Sequence, residues 1–515
     1  MNKIKKILLL SMAITALMLC FVFSSSAATS GYYTYEIVNG KAKITNVNTA
    51  ISGDVTIPKK LGGYTVNEIG YASFEHCNSI KNLIIPDTVT FMDSYAFRNC
   101  AGITSVKFGK GVKIIPFMAF VNCSGLKTIT FGENVTTIGK YAFNGCKSLV
   151  NINWNEKINI IDVGAFSGCI SLTKLVISNS VKTIQESAFS GCSGITELEL
   201  GNNVELISGW AFSGCRALRN VKLPDSVKEM GKSAFEKCVS LTTVSIGDGV
   251  KEIKDNAFLN CSRLRTIQFG KNIESIGYGS FAGCKSLSDF TFNEKLRTIG
   301  MTAFSGCESL TKLIFPTSLT SIYERAFENC NNVVTIDFND KIMDIGYRAF
   351  QNCISVKSLD LPNNLTNLSS YAFYNCKSLK EVNIGDNVVS IPENTFALCS
   401  SLKDVIIGQS VTEIGYSAFA STSIDKIVIP DSVTEISGSF YNCTELQDVS
   451  MGNGIVRIDQ YSFYNCTALK AIIIPEKVAI IGDNAFSNCS GFTGRLTIGK
   501  SVTSIGYNAF SRCSG

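Results

Sequence analysis

A chain of 515 residues with 17% charged side chains and a formal net charge of +5 carries no strong pull toward nucleic acid or an anionic membrane. Removing Lys3, Lys5 and Lys6 with a cleaved N-terminal leader lowers that charge to +2. The length would suit several globular domains, but a fixed internal period overrides that expectation. His76 is the single histidine, so an imidazole zinc site or histidine base catalysis would have to rest on one residue, which is expected to be an exposed surface side chain.

Residues 1–28 read as a secretory leader: Lys3, Lys5 and Lys6 open it, Ile7 to Phe23 form the apolar stretch, and Ser24 to Ala28 supply small residues for cleavage after Ala27 or Ala28. Cys20 suggests a lipid anchor, but Leu19 is bulky where such signals carry a small residue. An exported, secreted or surface-associated protein is expected, with no transmembrane segment in the mature chain. Residues 29–54 lack the later period. Tyr35 to Val38 and Ala42 to Thr45 flank Asn39-Gly40, a pair that favours a type I′ hairpin turn, and this segment is expected to cap the repeats that begin at Val55.

From Val55 the chain repeats, with an insertion at Lys59 to Tyr64, and residues 55–515 hold about twenty copies. Fifteen cysteines from Cys77 to Cys399 stand 23 residues apart, each three residues after a phenylalanine. In the copy from Cys123 to Phe143, Leu126, Ile129 and Phe131 alternate as a short strand, Gly132 ends it, and the GxxAFxxC word reads as a turn followed by one short helical turn. One coil cannot bury its apolar residues alone, so copies must stack, with a parallel sheet on one side and turns or short helices on the other. About twenty strands at about 4.8 Å spacing give a sheet edge on the order of 90 Å, a platform rather than a pocket.

The repeat resembles that of the BspA-like, Treponema-type leucine-rich-repeat proteins. Their pattern LxxVxIPxSVxxIGxxAFxxC is matched by Leu218 to Val227 and resumes from Gly231 to Cys238. The resemblance covers about residues 55–515. It implies a curved leucine-rich-repeat solenoid on a bacterial, or sometimes protozoan, surface, in a family associated with adhesion to host matrix proteins and to other cells.

Two irregularities interrupt the period. Phe419 and Phe440 stand 21 apart with Thr422 in the cysteine column, so a bend or local change of register is expected. One residue is added between Cys489 and Cys513. The repeat word lies two residues before Gly515, and truncation of a longer chain is expected from the uncapped final coil.

Nineteen cysteines beyond the leader invite disulfides, but equivalent places in successive coils point side chains in parallel, which is poor disulfide geometry. A buried ladder of free thiols fits better, since Thr422 substitutes in it. No CxxC pair or histidine partner supports a metal, and no cofactor is expected. The phenylalanine column from Phe74 to Phe510 reads as a core spine. Gly494 to Ser501 matches GxxxxGK[ST] in letters, but Leu496-Thr497-Ile498 should be the strand itself, so no phosphate loop is expected.

Function is therefore sought on the outward strand positions. Val176, Glu199, Lys222, Ile314, Asp337, Asp360 and Ile406 occupy one row, Glu381 and Asp404 the adjacent row, with Lys357, Lys380 and Lys403 beside them. This mixed strip reads as solvated and mutually neutralised, and together with the exposed Val428 and Ile473 it is the candidate binding face. The expected function is non-catalytic binding or adhesion to an extracellular protein or cell-surface macromolecule, such as a host matrix protein, a mucin or another cell. A passive stalk or surface-layer element with its binding or anchoring domain beyond residue 515 is the alternative. A glycoside hydrolase using Asp337 and Asp360 is a third.

Overall fold

The alternation Leu126, Ile129, Phe131 turns three side chains of one coil inward, where all are buried, and leaves Thr128 and Thr130 on the other face of a three-residue strand. A turn closed by Val135 N–H donating to Gly132 O (3.1 Å) leads to a two-residue strand, Thr137–Ile138, whose Ile138 is again buried. Each coil thus contributes to two parallel ladders. The remaining stretch also bonds from coil to coil, as in Phe120 N–H to Ala142 O at 2.8 Å. Repetition of this coil makes a parallel β-solenoid of the leucine-rich-repeat class.

The computed structural model describes residues 27–514, so the leader read over residues 1–28 lies outside the described residues except for Ala27 and Ala28. The described chain falls into two compact units that divide between Ile158 and Asn159. In the first, Tyr33–Val38 and Lys41–Val47 pair antiparallel about Asn39 and Gly40, whose φ angles of 50° and 72° are those a type I′ turn requires. Lys41–Val47 then pairs parallel with Tyr64–Ile69, so the hairpin covers one ladder. The insertion makes a second small hairpin, with Lys60–Leu61 antiparallel to Tyr64 and Thr65. Gly53–Thr56, Ile80–Ile85, Ser105–Phe108, Thr128–Thr130 and Asn151–Asn153 form the main parallel sheet of this unit.

In the second unit the same two ladders run from Lys174–Val176 and Ile160–Ile161 to Leu496–Thr497 and Ser504–Ile505. Register usually advances by one period, as in Lys312↔Thr335. No strand forms at Asp289 to Thr291. There the Asp289 carboxylate accepts the backbone N–H groups of Thr311 (2.8 Å) and Lys312 (3.2 Å) and the Thr311 hydroxyl. Partial burial would raise its pKa, but these donors hold it below the usual carboxylate value.

The short helices expected at the AFxxC word do not form, and no helix occurs among the described residues. The reason lies in the residue before the alanine and the residue before the cysteine. Tyr141 and Gly145 have φ of 54° and 72°, Asn256 and Asn260 55° and 59°, and Arg348 and Asn352 56° and 62°. Two left-handed residues four apart stop a right-handed helix from propagating, and the segment becomes consecutive turns. Glycine and asparagine recur in the second slot because they tolerate that conformation, and His76 occupies it in its own coil with φ 62°. Its side chain is exposed, with Nε2 3.4 Å from Glu75.

The word itself is scaffold. Phe212, Phe235 and Phe258 are fully buried and stack at 5.3 and 5.5 Å with interplanar angles of 6° and 5°. The nineteen cysteines are all free, and all but Cys513 are buried. In a regular pair of coils the thiol donates to the phenylalanine carbonyl of the preceding coil, as Cys100 does to Phe74 O (2.9 Å) and Cys238 to Phe212 O (3.3 Å). Burial raises the pKa of such thiols, to about 12 at Cys330 and about 11 at Cys443. Thr422 keeps a hydroxyl at this place, donating to Phe419 O (2.9 Å) and lying 3.3 Å from Cys443 Sγ.

The short repeat does not change the register of the ladders as expected. Lys426 faces Asp448 and Glu413 faces Glu435, each one residue short of the usual period, while Phe419 and Phe440 remain stacked at 5.6 Å. The two missing residues come out of the two turns, one before Lys426 and one before Phe440, so the strands are spared. Ser439 replaces the alanine there, fully buried, and donates to Ile414 O (2.7 Å).

Candidate binding face

The first and third residues of each main strand point outward and the middle one inward. Leu175, Leu359 and Val382 are buried middle residues, while Lys174, Val176, Asp360 and Glu381 are exposed. The candidate residues consequently lie on the outward face, but the structure does not gather them into one site.

Val176 stands in register with Glu199, and Ile314 with Asp337. Lys222 borders a separate depression of about 420 Å³ with Asn220, Thr243 and Gln268. A second depression, of about 260 Å³, joins Asp360, Glu381, Asp404 and Ile406 over the strands Ser358–Asp360, Glu381–Asn383 and Asp404–Ile406. Within it Glu381 lies directly opposite Asp404, and Asn383 Nδ2 donates to Asp360 Oδ1 at 2.8 Å. Ladder bonds lapse between Thr335–Asp337 and Ser358–Asp360, and Asp337 does not line this depression.

The mutual neutralisation expected of the strip is not what the structure has. Lys357, Lys380 and Lys403 form a column, with Lys380 N–H donating to Lys357 O (2.8 Å) and Lys403 N–H to Lys380 O (2.9 Å). Among the described residues none of their ammonium groups lies within 4.0 Å of a carboxylate. The lysines belong to the row preceding the strand, and extended side chains in water gain little from closing such pairs. The acids of this depression and the lysines of this column therefore remain separately available to a ligand.

Some partners were not foreseeable from the row alone. Lys174 Nζ reaches Glu199 at 2.8 Å and Glu197 at 3.5 Å, and the hydrogen bond it donates to Glu199 raises the lysine pKa. On the turn side Arg348 lies over the rings of Tyr347 and Tyr371, at 4.8 and 5.1 Å from their centres. The residues flanking each alanine were the signal for that second cluster. The GxxxxGK[ST] letters prove to span the strand Leu496–Thr497, which separates the two glycines. Among the described residues no three His, Cys, Asp or Glu side chains are grouped to hold a metal ion, and no helix is long and apolar enough to cross a membrane.

Residues 67–515 match the BspA type leucine rich repeat region in six overlapping copies. A leucine-rich repeat protein from Bacteroides ovatus has a similar structure, at TM-score 0.50 and 24% identity, covering 93% of this chain and 99% of its own. A leucine rich cell surface protein from Faecalibacterium prausnitzii is 27% identical over 74% of this chain and 95% of its own, with a TM-score of 0.39. The pneumococcal vaccine antigen PcpA is 16% identical over 92% of this chain and 99% of its own, at TM-score 0.31. The first shares the fold, and the other two superpose too loosely to carry an argument. No curated protein matches the chain.

Proposed function

Since the chain belongs to the BspA type leucine-rich-repeat family, we propose that it is an exported, non-catalytic protein that binds an extracellular protein or cell-surface macromolecule through its outward sheet face. A host matrix protein, a mucin or the surface of another cell is the class of partner meant. The observation that carries this reading is the exposure of β-branched side chains where a strand residue could as well be polar. Ile314, Ile406 and Val428 are 54%, 65% and 67% exposed. Covering each would contribute on the order of 1–2 kcal/mol. The neighbouring carboxylates of Asp360, Glu381 and Asp404 would supply orientation and specificity rather than bulk affinity.

Titration of the intact folded protein against immobilised matrix proteins, mucin and whole partner bacteria tests this. Saturable binding to at least one of them is expected, and a folded chain that binds none contradicts the proposal. Release of sugar ends from a polysaccharide, lost on Asp360→Asn, would overturn its non-catalytic part.

A further inference from the structure

The two units differ in charge. Residues 27–158 hold 13 Lys and Arg against 8 Asp and Glu, whereas residues 159–514 hold 31 against 34. We propose that the outward sheet face of the first unit is a docking surface for an acidic polysaccharide, gripped by Lys59, Lys81, Lys107 and Lys127.

Strand register places the cations. Asn82 faces Ser105 and Ile84 faces Lys107, so Lys107 stands one strand along from Ile84. Thr104 N–H donates to Lys81 O (2.7 Å) and Lys127 N–H to Thr104 O (2.8 Å), which sets Lys81 and Lys127 two strands apart in one column. Two strand spacings separate them by about 10 Å. Lys59 and Lys107 also line a depression of about 450 Å³ at the end of these strands.

The carboxylates near this face are already engaged. Asp54 accepts from Asn82 Nδ2 (2.7 Å), Asp87 accepts the backbone N–H of Lys110 (2.8 Å), and Glu133 pairs with Lys110 at 3.2 Å. Among the described residues, Lys59, Lys81, Lys107 and Lys127 have no carboxylate within 4.0 Å. Their charge is left for a partner, and its attraction will fall with salt.

The groups between the lysines favour a glycan over a protein. Asn82, Ser105, Thr128 and Asn151 form one in-register row, in which the Ser105 hydroxyl donates to Asn82 Oδ1 (2.7 Å) and the Thr128 hydroxyl and Asn151 amide can both donate and accept, as ring hydroxyls require. A protein partner would want buried apolar or aromatic anchors. The outward rows of strands 80–85 to 151–153 and the column of Lys81 and Lys127 offer only Ile84 and Val150 as exposed large apolar side chains. Arg98, the one arginine between residues 27 and 158, is held by Glu75 through its Nε (2.6 Å) and does not supply bidentate recognition. Mobile lysine point charges suit spaced sulfate or carboxylate groups on a polymer.

The test uses the full chain with dextran sulfate, neutral dextran of equal length and duplex DNA as probes. One variant combines Lys81→Gln, Lys107→Gln and Lys127→Gln. The control combines Lys228→Gln, Lys271→Gln and Lys285→Gln, exposed lysines of the second unit that are each paired with a carboxylate. Dextran sulfate should bind while neutral dextran does not, and the first variant should lose about tenfold or more in affinity while the control changes less than about twofold. Absence of binding, or equal losses in both variants, overturns the inference. DNA bound as tightly through the same lysines would overturn the choice of polysaccharide. Both triples should retain the native circular dichroism spectrum. Failure here leaves the binding reading of strands 358–406 intact, because it concerns other residues.

Discussion

Raising the pH above 8.5 should unfold this protein through its cysteines. A thiol whose folded pKa is raised keeps its proton where the unfolded thiol has lost it. Its stabilising effect is therefore complete below the unfolded value of about 8.5 and is lost as pH rises toward the folded value. Burial raises the pKa of thiols such as Cys238 and Cys261, and to about 12 at Cys330, so the loss continues across the whole alkaline range. One pH unit above 8.5 it amounts to about 1–2 kcal/mol for each buried thiol. A coil of this size is stable by roughly 1–3 kcal/mol, so a deficit repeated in nearly every coil removes most of the margin near pH 9.5. Urea titrations followed by circular dichroism between pH 7 and 10, with a reductant present, should show stability flat to about pH 8.5 and falling steeply beyond it. Replacing four consecutive thiols, by Cys215→Ala, Cys238→Ala, Cys261→Ala and Cys284→Ala, should make that fall shallower. A wild-type curve flat to pH 10, or the same slope in the variant, would refute the reasoning.

Phe235→Ala removes a fully buried ring stacked on two others and should cost roughly 3–5 kcal/mol, seen as a lowered thermal midpoint with the loss of hydrogen-exchange protection centred on its own coil and the two beside it. Asn352 holds φ 62° while its amide donates to Asn329 (2.7 Å) and accepts from Asn375 (2.8 Å). Asn352→Leu should therefore cost about 1–3 kcal/mol in chemical denaturation, and Asn352→Gly less, because glycine loses the amide bonds but not the conformation.

The period, the inward positions and the free-thiol ladder were legible because every copy repeats the same burial problem, and Thr422 confirmed that a small side chain with a donor suffices. The second ladder was not legible. Thr137–Ile138 is too short to show alternation, and its pairing is a property of stacked coils. The turns were misread as helical because AFxxC puts apolar residues three apart, although Asn260, Gly145 and their equivalents before the cysteine announce left-handed residues. On the candidate face, outward direction followed from strand parity, but pairing did not. Lys174 reaches Glu199 from a different row as well as a different coil, and Lys357, Lys380 and Lys403 leave the nearby acids alone. Such choices depend on side-chain reach across coils, which spacing along one chain does not encode.

The central claim is that the repeat word builds the solenoid while the outward strand residues of the second unit make the contact. It is tested most directly by measuring the affinity of the intact chain for its best-bound matrix protein, mucin or cell after Ile314→Asp, Ile406→Asp and Val428→Asp together, against a turn-side control, Tyr278→Ser. The account predicts a loss of about tenfold or more in the sheet-face variant alone, with both proteins folded. Equal affinity in the two variants, or a loss confined to the turn-side control, would contradict it.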